Sequence, residues 1–163
     1  MEDKIYEVGE SQGDGGSGVF FRLKGYPRLG VKISRTNTLA YLNEELEKAK
    51  ILRKLGISVP KYVGIIKVKI PENEIQKNSL NAMLKEIPKF WNALVVEYID
   101  SDVELCDSSE GKSQYFDELE KVRKLGIEVS TDVSISKNVL WSEKKQKMYF
   151  CDVEFWEIPD KYY

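Results

Sequence analysis

The stretch Gly13-Asp14-Gly15-Gly16-Ser17-Gly18 puts four glycines into six positions, ahead of Val19-Phe20-Phe21 and Gly30-Val31-Lys32-Ile33. A backbone with so few Cβ atoms can approach a ligand closely, as amide groups that cradle polyphosphate must. The same composition serves hairpin turns and flexible linkers. Its neighbours narrow the choice. Short strands are predicted over 4–8, 19–24 and 30–34, the last apolar and β-branched around Lys32, so the glycine turn lies between two strands. A dinucleotide-binding glycine motif must open a helix, and a Walker loop must continue into Gly-Lys-Ser/Thr; neither context is present.

Composition limits what such a turn can serve. With 163 residues, 42% hydrophobic and 32% charged, the chain can bury one core or two small lobes sharing a cleft. Its 25 basic and 27 acidic residues leave a net charge of -2, so no overall field favours a nucleic acid or a membrane. No apolar run reaches membrane-spanning length, and Met1-Glu2-Asp3-Lys4 does not open a signal peptide, so a cytoplasmic location is expected. Cys106 and Cys151 have neither disulfide-framework nor zinc-site spacing. The absence of histidine excludes Ser–His and Cys–His nucleophile systems.

Along the chain, Thr36-Asn37-Thr38 can cap a helix running to about Leu55, with Gly56 as its stop. Leu39, Leu42, Leu46, Ala49 and Leu52 share its apolar face; Glu45 falls on the edge, and Glu44, Glu47 and Lys48 point elsewhere. Glu45 is either a snorkelling surface carboxylate or the partner of a buried cation such as Lys32. A strand is expected from about Tyr62 to Ile70, closed by Pro71. Residues 72–90 read as a polar insertion with a helical turn around Leu80 to Leu84. Ala93 to Ile99 reads as a buried strand, and residues 100–112 as a linker marking the boundary between lobes 1–99 and 100–163.

A second amphipathic helix is predicted over Tyr115 to Leu125. Arg53-Lys54-Leu55-Gly56-Ile57 and Arg123-Lys124-Leu125-Gly126-Ile127 look like one helix-stop device used twice, too short to be a repeat. Asn138 to Trp141 and Met148 to Cys151 read as a hairpin around the polar turn 142–147, with Asp152 at its far end.

In this order the elements resemble the protein-kinase-like superfamily, and within it the small atypical RIO and aminoglycoside-phosphotransferase type. The matching stretches are the glycine loop at 13–18, Val31-Lys32-Ile33, the helix segment Glu45 to Leu52 with its sequel Ile57-Ser58-Val59-Pro60, and Leu94 to Ile99 as an interlobe hinge. Thr131-Asp132-Val133-Ser134 through Asn138-Val139-Leu140 resembles the catalytic loop, and Tyr149-Phe150-Cys151-Asp152-Val153 the metal-binding aspartate segment. The resemblance covers about residues 10–155. It implies an α+β, two-lobed protein-kinase-like fold: an antiparallel sheet lobe with one main helix, and a minimal helical second lobe with a β-hairpin.

The implied chemistry is phosphoryl transfer from ATP with Mg²⁺ to a serine or threonine hydroxyl of a protein, or of the chain itself. Gly13, Gly15, Ser17 and Gly18 would lay amides over the β- and γ-phosphates. Lys32, held by Glu45, would contact the α- and β-phosphates, and adenine would rest on backbone groups of Glu97 and Ile99. Asn138 and Asp152 would be the Mg²⁺ ligands and Asp132 the base. By their residues alone, Asp132 reads equally as a turn aspartate and Asn138 as a strand-entry cap.

The sequence departs from the family in three places. Asp132 and Asn138 are six positions apart, one more than the family's loop normally has, and its loop histidine is missing. Only residues 153–163 follow Asp152, a span too short for the segments that usually bind the acceptor, so the second lobe reads as truncated and the acceptor is not readable. Two alternatives stand beside the protein kinase: a pseudokinase-like nucleotide-binding interaction module, and a small-molecule phosphotransferase. A protein partner or self-association is expected for so small a lobe.

Overall fold

A computed structural model describes residues 4–14, 18–34, 38–77, 80 and 87–163. Its described residues form an α+β structure with seven strands and three α-helices: β1 (Ile5–Asp14), β2 (Gly18–Leu23), β3 (Leu29–Ser34), α1 (Leu39–Lys54), β4 (Tyr62–Lys69), α2 (Glu72–Lys77), β5 (Trp91–Glu97), α3 (Ser109–Lys124), β6 (Val139–Ser142) and β7 (Lys147–Phe150). The chain divides into two compact units, one of Met1–Leu46 with Tyr62–Tyr98 and one of Glu47–Lys61 with Ile99–Tyr163.

In the first unit five strands follow the order β1-β2-β3-β5-β4. All neighbours are antiparallel except β1 and β4, whose parallel pairing of Ile5–Glu7 with Lys67–Lys69 closes the sheet into a barrel. The expected antiparallel sheet is therefore corrected at this one seam. Val19, Phe21, Val31, Ile33, Trp91 and Val95 belong to one buried cluster. Residues that alternate with them along β3 point to the opposite face, which is where Lys32 goes.

Two glycines in this sheet lie where a Cβ would collide, Gly18 against fixed backbone and Gly30 against the movable end of a side chain. A Cβ on Gly18 would sit 2.2 Å from the Ile33 carbonyl oxygen, and one on Gly30 would sit 2.2 Å from the end of the Phe20 ring. The supposed insertion also has a structural task. Ile75 of α2 and Leu80 are buried in the same cluster as the barrel interior, so this part of 72–90 is core rather than appendage. The turn expected up to Leu84 lies outside the described residues beyond Leu80.

The second unit begins within α1. The helix ends as its glycine foretells: Gly56 has φ of +80°, its N–H donates to the Arg53 carbonyl, and Ile57 N–H donates to the Leu52 carbonyl. Helix α3 stops identically, with Gly126 at φ +72°, Gly126 N–H to Arg123 and Ile127 N–H to Val122. Both are Schellman ends in which the apolar residue after glycine is buried. After the first of them the chain runs beside β7. Phe150 N–H donates to the Ser58 carbonyl at 2.8 Å, the Ser58 hydroxyl donates to the Met148 carbonyl, and Lys121 Nζ donates to the Gly56 carbonyl. These bonds explain why residues 47–61 group with the second unit, whereas the sequence reading kept them with residues 1–99.

The linker expected over 100–112 is instead structured. Residues Leu105–Asp107 form a short 3-10 turn, and α3 starts at Ser109, six residues before the predicted Tyr115. Ser108 caps α3 by accepting from Gly111 N–H, and Gly111 itself leaves room for Trp141, whose ring a Cβ would meet at 3.2 Å. A polar first turn with an embedded glycine hid this start. Trp156 packs edge-on to Phe150 at 5.1 Å and helps fill the unit's interior. Among the described residues no helix is long and apolar enough to cross a membrane.

Candidate functional site

Each unit gathers its own set of polar side chains. In the first, Lys32 Nζ lies 3.0 and 3.1 Å from the two oxygens of Glu45. Glu45 is only 1% exposed and Lys32 is 6% exposed, so this is a buried, bidentate ion pair. Tyr62 Oη donates a further bond to Glu45 Oε1 at 3.2 Å, which restrains the carboxylate from a second strand. Of the two sequence readings for Glu45, burial with Lys32 is the one realised.

The predicted helix face needs correction around it. Glu45 sits at the centre of the buried arc of α1, not at its edge. Leu42, Lys48, Ala49 and Leu52 flank it, while Leu39 is 54% exposed. Weighting only apolar side chains turned the predicted face away from Lys48. Of the expected cap Thr36-Asn37-Thr38, the first two lie outside the described residues, and the Thr38 carbonyl accepts from Leu42 N–H at 3.2 Å.

Gly13 and Asp14 end β1, and Gly18 opens β2; Gly13 pairs with Phe20 and Asp14 with Val19. The glycine stretch thus joins two paired strands, as its neighbours predict. Gly15 and Ser17 lie outside the described residues. A Cβ on Gly13 would meet nothing within 4 Å, in contrast to Gly18. Glu97 ends β5 opposite Leu29, Tyr98 N–H donates to the Arg28 carbonyl, and the Arg22 guanidinium stacks on the Tyr98 ring at 3.8 Å. Ile99 begins the second unit and is buried.

In the second unit the structure brings Asp132 and Asn138 together. Asn138 Nδ2 donates to Asp132 Oδ2 at 2.8 Å, and the Ser130 hydroxyl donates to Asp132 Oδ1. The six-position separation is absorbed by a tight turn between them, in which Ser134 and Lys137 exchange both backbone hydrogen bonds. Asn138 leads into β6, and its carbonyl accepts from Cys151 N–H at 3.0 Å. The β6–β7 hairpin, with Val139 opposite Phe150, therefore fixes the chain directly after Asn138 and just before Asp152.

Both residues have left-handed backbones, Asn138 at φ 58° and Asp152 at φ 55° and ψ 59°. Residues with a Cβ adopt this region at a cost, and such residues concentrate where a side chain must be aimed. Asp132 also lines a depression of about 470 Å³ with Glu128, Ser130, Thr131, Phe155 and Glu157. Its wall offers three carboxylates and two hydroxyls beside an exposed aromatic ring.

No family model matches this chain. A search of curated protein sequences found no match either. The geometry alone therefore speaks for the site. Among the described residues no group of three or more Asp, Glu or Cys side chains is gathered as a metal centre. Asn138 and Asp152 are two hard oxygen donors. The amide of Asn138 spends its N–H on Asp132, which directs its oxygen away from that carboxylate. Their backbones adjoin through the Cys151 N–H bond to the Asn138 carbonyl, and hard oxygens are the donor type that Mg²⁺ takes.

Proposed function

We propose that this chain is a small ATP- and Mg²⁺-dependent phosphotransferase of the protein-kinase-like kind, acting on a serine or threonine hydroxyl of a protein. The observation that carries this reading is the buried, bidentate Lys32–Glu45 pair, on the third strand and the first helix of a sheet ordered β1-β2-β3-β5-β4. Desolvating two charges is expensive, and a pair retained inside is best rationalised by a task for the ammonium. A lysine held rigid in this way offers a fixed positive charge to phosphate oxygens.

The two-lobed arrangement belongs to the same reading, with the barrel unit as the sheet lobe and the second unit as the reduced helical lobe. In this reading Gly13, Gly15, Ser17 and Gly18 would supply amides to the β- and γ-phosphates, Lys32 would bind the α- and β-phosphates, and the backbone of Glu97 and Ile99 would receive adenine. Asn138 and Asp152 would hold Mg²⁺, which would supply charge neutralisation there. Asp132 lines a depression open to an acceptor and takes the proton of the attacking hydroxyl. Its orientation is supported by the bonds from Ser130 and Asn138.

Incubation with γ-labelled ATP and Mg²⁺ is expected to label a protein acceptor or the chain itself, and Lys32→Ala and Asp152→Ala should each abolish the label. Wild type indistinguishable from both variants would overturn the reading. Label found only on a sugar or aminoglycoside hydroxyl would make it a small-molecule phosphotransferase. The six-position spacing of Asp132 and Asn138, one more than the family's loop has, favours a nucleotide-binding interaction module instead. That reading wins if MgATP raises the melting temperature while no acceptor is labelled.

A further inference from the structure

Lys48 is a buried cation that the proposed chemistry leaves unused. The residue is 9% exposed, and its Nζ donates to the backbone carbonyl of Glu154 at 2.6 Å, across 106 positions of sequence. A desolvated ammonium needs such a partner, and a bond this short is of the charge-assisted kind.

The carbonyl it reaches has a particular place. Residues Val153–Phe155 form a single 3-10 turn that starts directly after Asp152, and its internal bond runs from Trp156 N–H to the Val153 carbonyl. That bond leaves the next carbonyl, on Glu154, to be satisfied from outside the turn. Asp152 stands before the turn in its left-handed conformation and does not cap it with its side chain. On one flank the segment is held by Cys151 N–H on Asn138, and on the other by the buried rings of Trp156 and Phe150. Lys48 supplies the polar tie between these two holds.

We propose that Lys48 is a positioning residue: by gripping the Glu154 carbonyl it fixes the 3-10 turn and so holds Asp152 in the left-handed backbone conformation from which its carboxylate would serve Mg²⁺. The metal part of this proposal rests on the phosphotransferase reading. The backbone part does not.

The test uses the full chain with Lys48→Met, which keeps the apolar stem and removes the charge, and Lys48→Arg, which keeps charge and donors. Lys48→Gln, too short to reach, replaces K48M if the latter does not fold. Without nucleotide, amide hydrogen exchange at residues 151–156 should quicken about tenfold in K48M, with β1–β5 unchanged and K48R close to wild type. With a fluorescent ATP analogue, the Mg²⁺ concentration giving half-maximal binding should rise about tenfold in K48M, the lower end of what loss of a ligand's supporting contact costs. Nucleotide binding without Mg²⁺ should not change, and K48R should restore the Mg²⁺ requirement. Unchanged exchange at 151–156, or exchange raised equally throughout the second unit, overturns the positioning role. Localised exchange with an unchanged Mg²⁺ requirement overturns its link to the metal. If wild type binds no nucleotide with Mg²⁺, the phosphotransferase reading and the metal link fall together, and the exchange data still decide whether Lys48 holds the turn.

Discussion

Lys32 and Glu45 each carry a charge that is unfavourable in a protein interior unless the other is present. Removing one partner leaves the other uncompensated, so Lys32→Met or Glu45→Leu alone should lower unfolding free energy by about 3–5 kcal/mol. The double variant, apolar at both positions, should recover most of that loss. Urea denaturation of the four proteins measures the cycle, and single variants as stable as wild type would contradict burial of the pair. The sequence left Glu45 with two readings because a helical angle states only which neighbours share its side. It says nothing about which strand that side meets. Lys48 was missed for the same reason: a charged residue at helical spacing reads as solvent-facing until a carbonyl 106 positions away is placed against it.

At the level of elements, the glycine hairpin separates two uses of one residue type. Gly18→Ala would drive a Cβ to 2.2 Å from a backbone oxygen, and the expected cost is about 1–3 kcal/mol. Gly13→Ala meets open space and should change stability by less than about 0.5 kcal/mol. Thermal denaturation of both variants distinguishes them, and equal losses would contradict this packing. Helix α3 carries a pH-sensitive group. Burial raises the Tyr115 hydroxyl above its ordinary value of 10.0, so the folded state favours the neutral phenol. That contribution to stability is complete below pH 10.0 and is lost as pH climbs through the raised value. Tyr115→Phe, which cannot ionise, should lose stability less steeply than wild type above this point; urea midpoints taken at a series of alkaline pH values should diverge. Helix ends were legible because glycine followed by an apolar residue is a local device. The start of α3 was not, because its cap is a serine followed by polar residues and a glycine whose role depends on Trp141.

For the whole molecule, the phosphotransferase reading predicts a measurable linkage. MgATP at a hundredfold excess over its Kd should stabilise the chain by about 2.7 kcal/mol. A thermal shift of a few degrees should follow, and Asp152→Ala should lose its Mg²⁺-dependent part. An Asp152→Ala shift equal to that of wild type would remove Asp152 from the metal site. Because the chain forms two compact units, the transition should be followed with probes in each unit. The sequence by itself determined the number and order of the strands, the helix stops, the hairpin after Asn138 and the order of the candidate residues, since each depends on residues near in the chain; it ended the first strand at 8, whereas β1 pairs with β2 as far as Asp14. Only tertiary structure decided the parallel seam between β1 and β4, the grouping of residues 47–61 with the second unit, and the burial of Glu45 and Lys48. Those outcomes depend on which distant backbone groups remain to be satisfied and on which faces exclude water, and neither is set by local spacing.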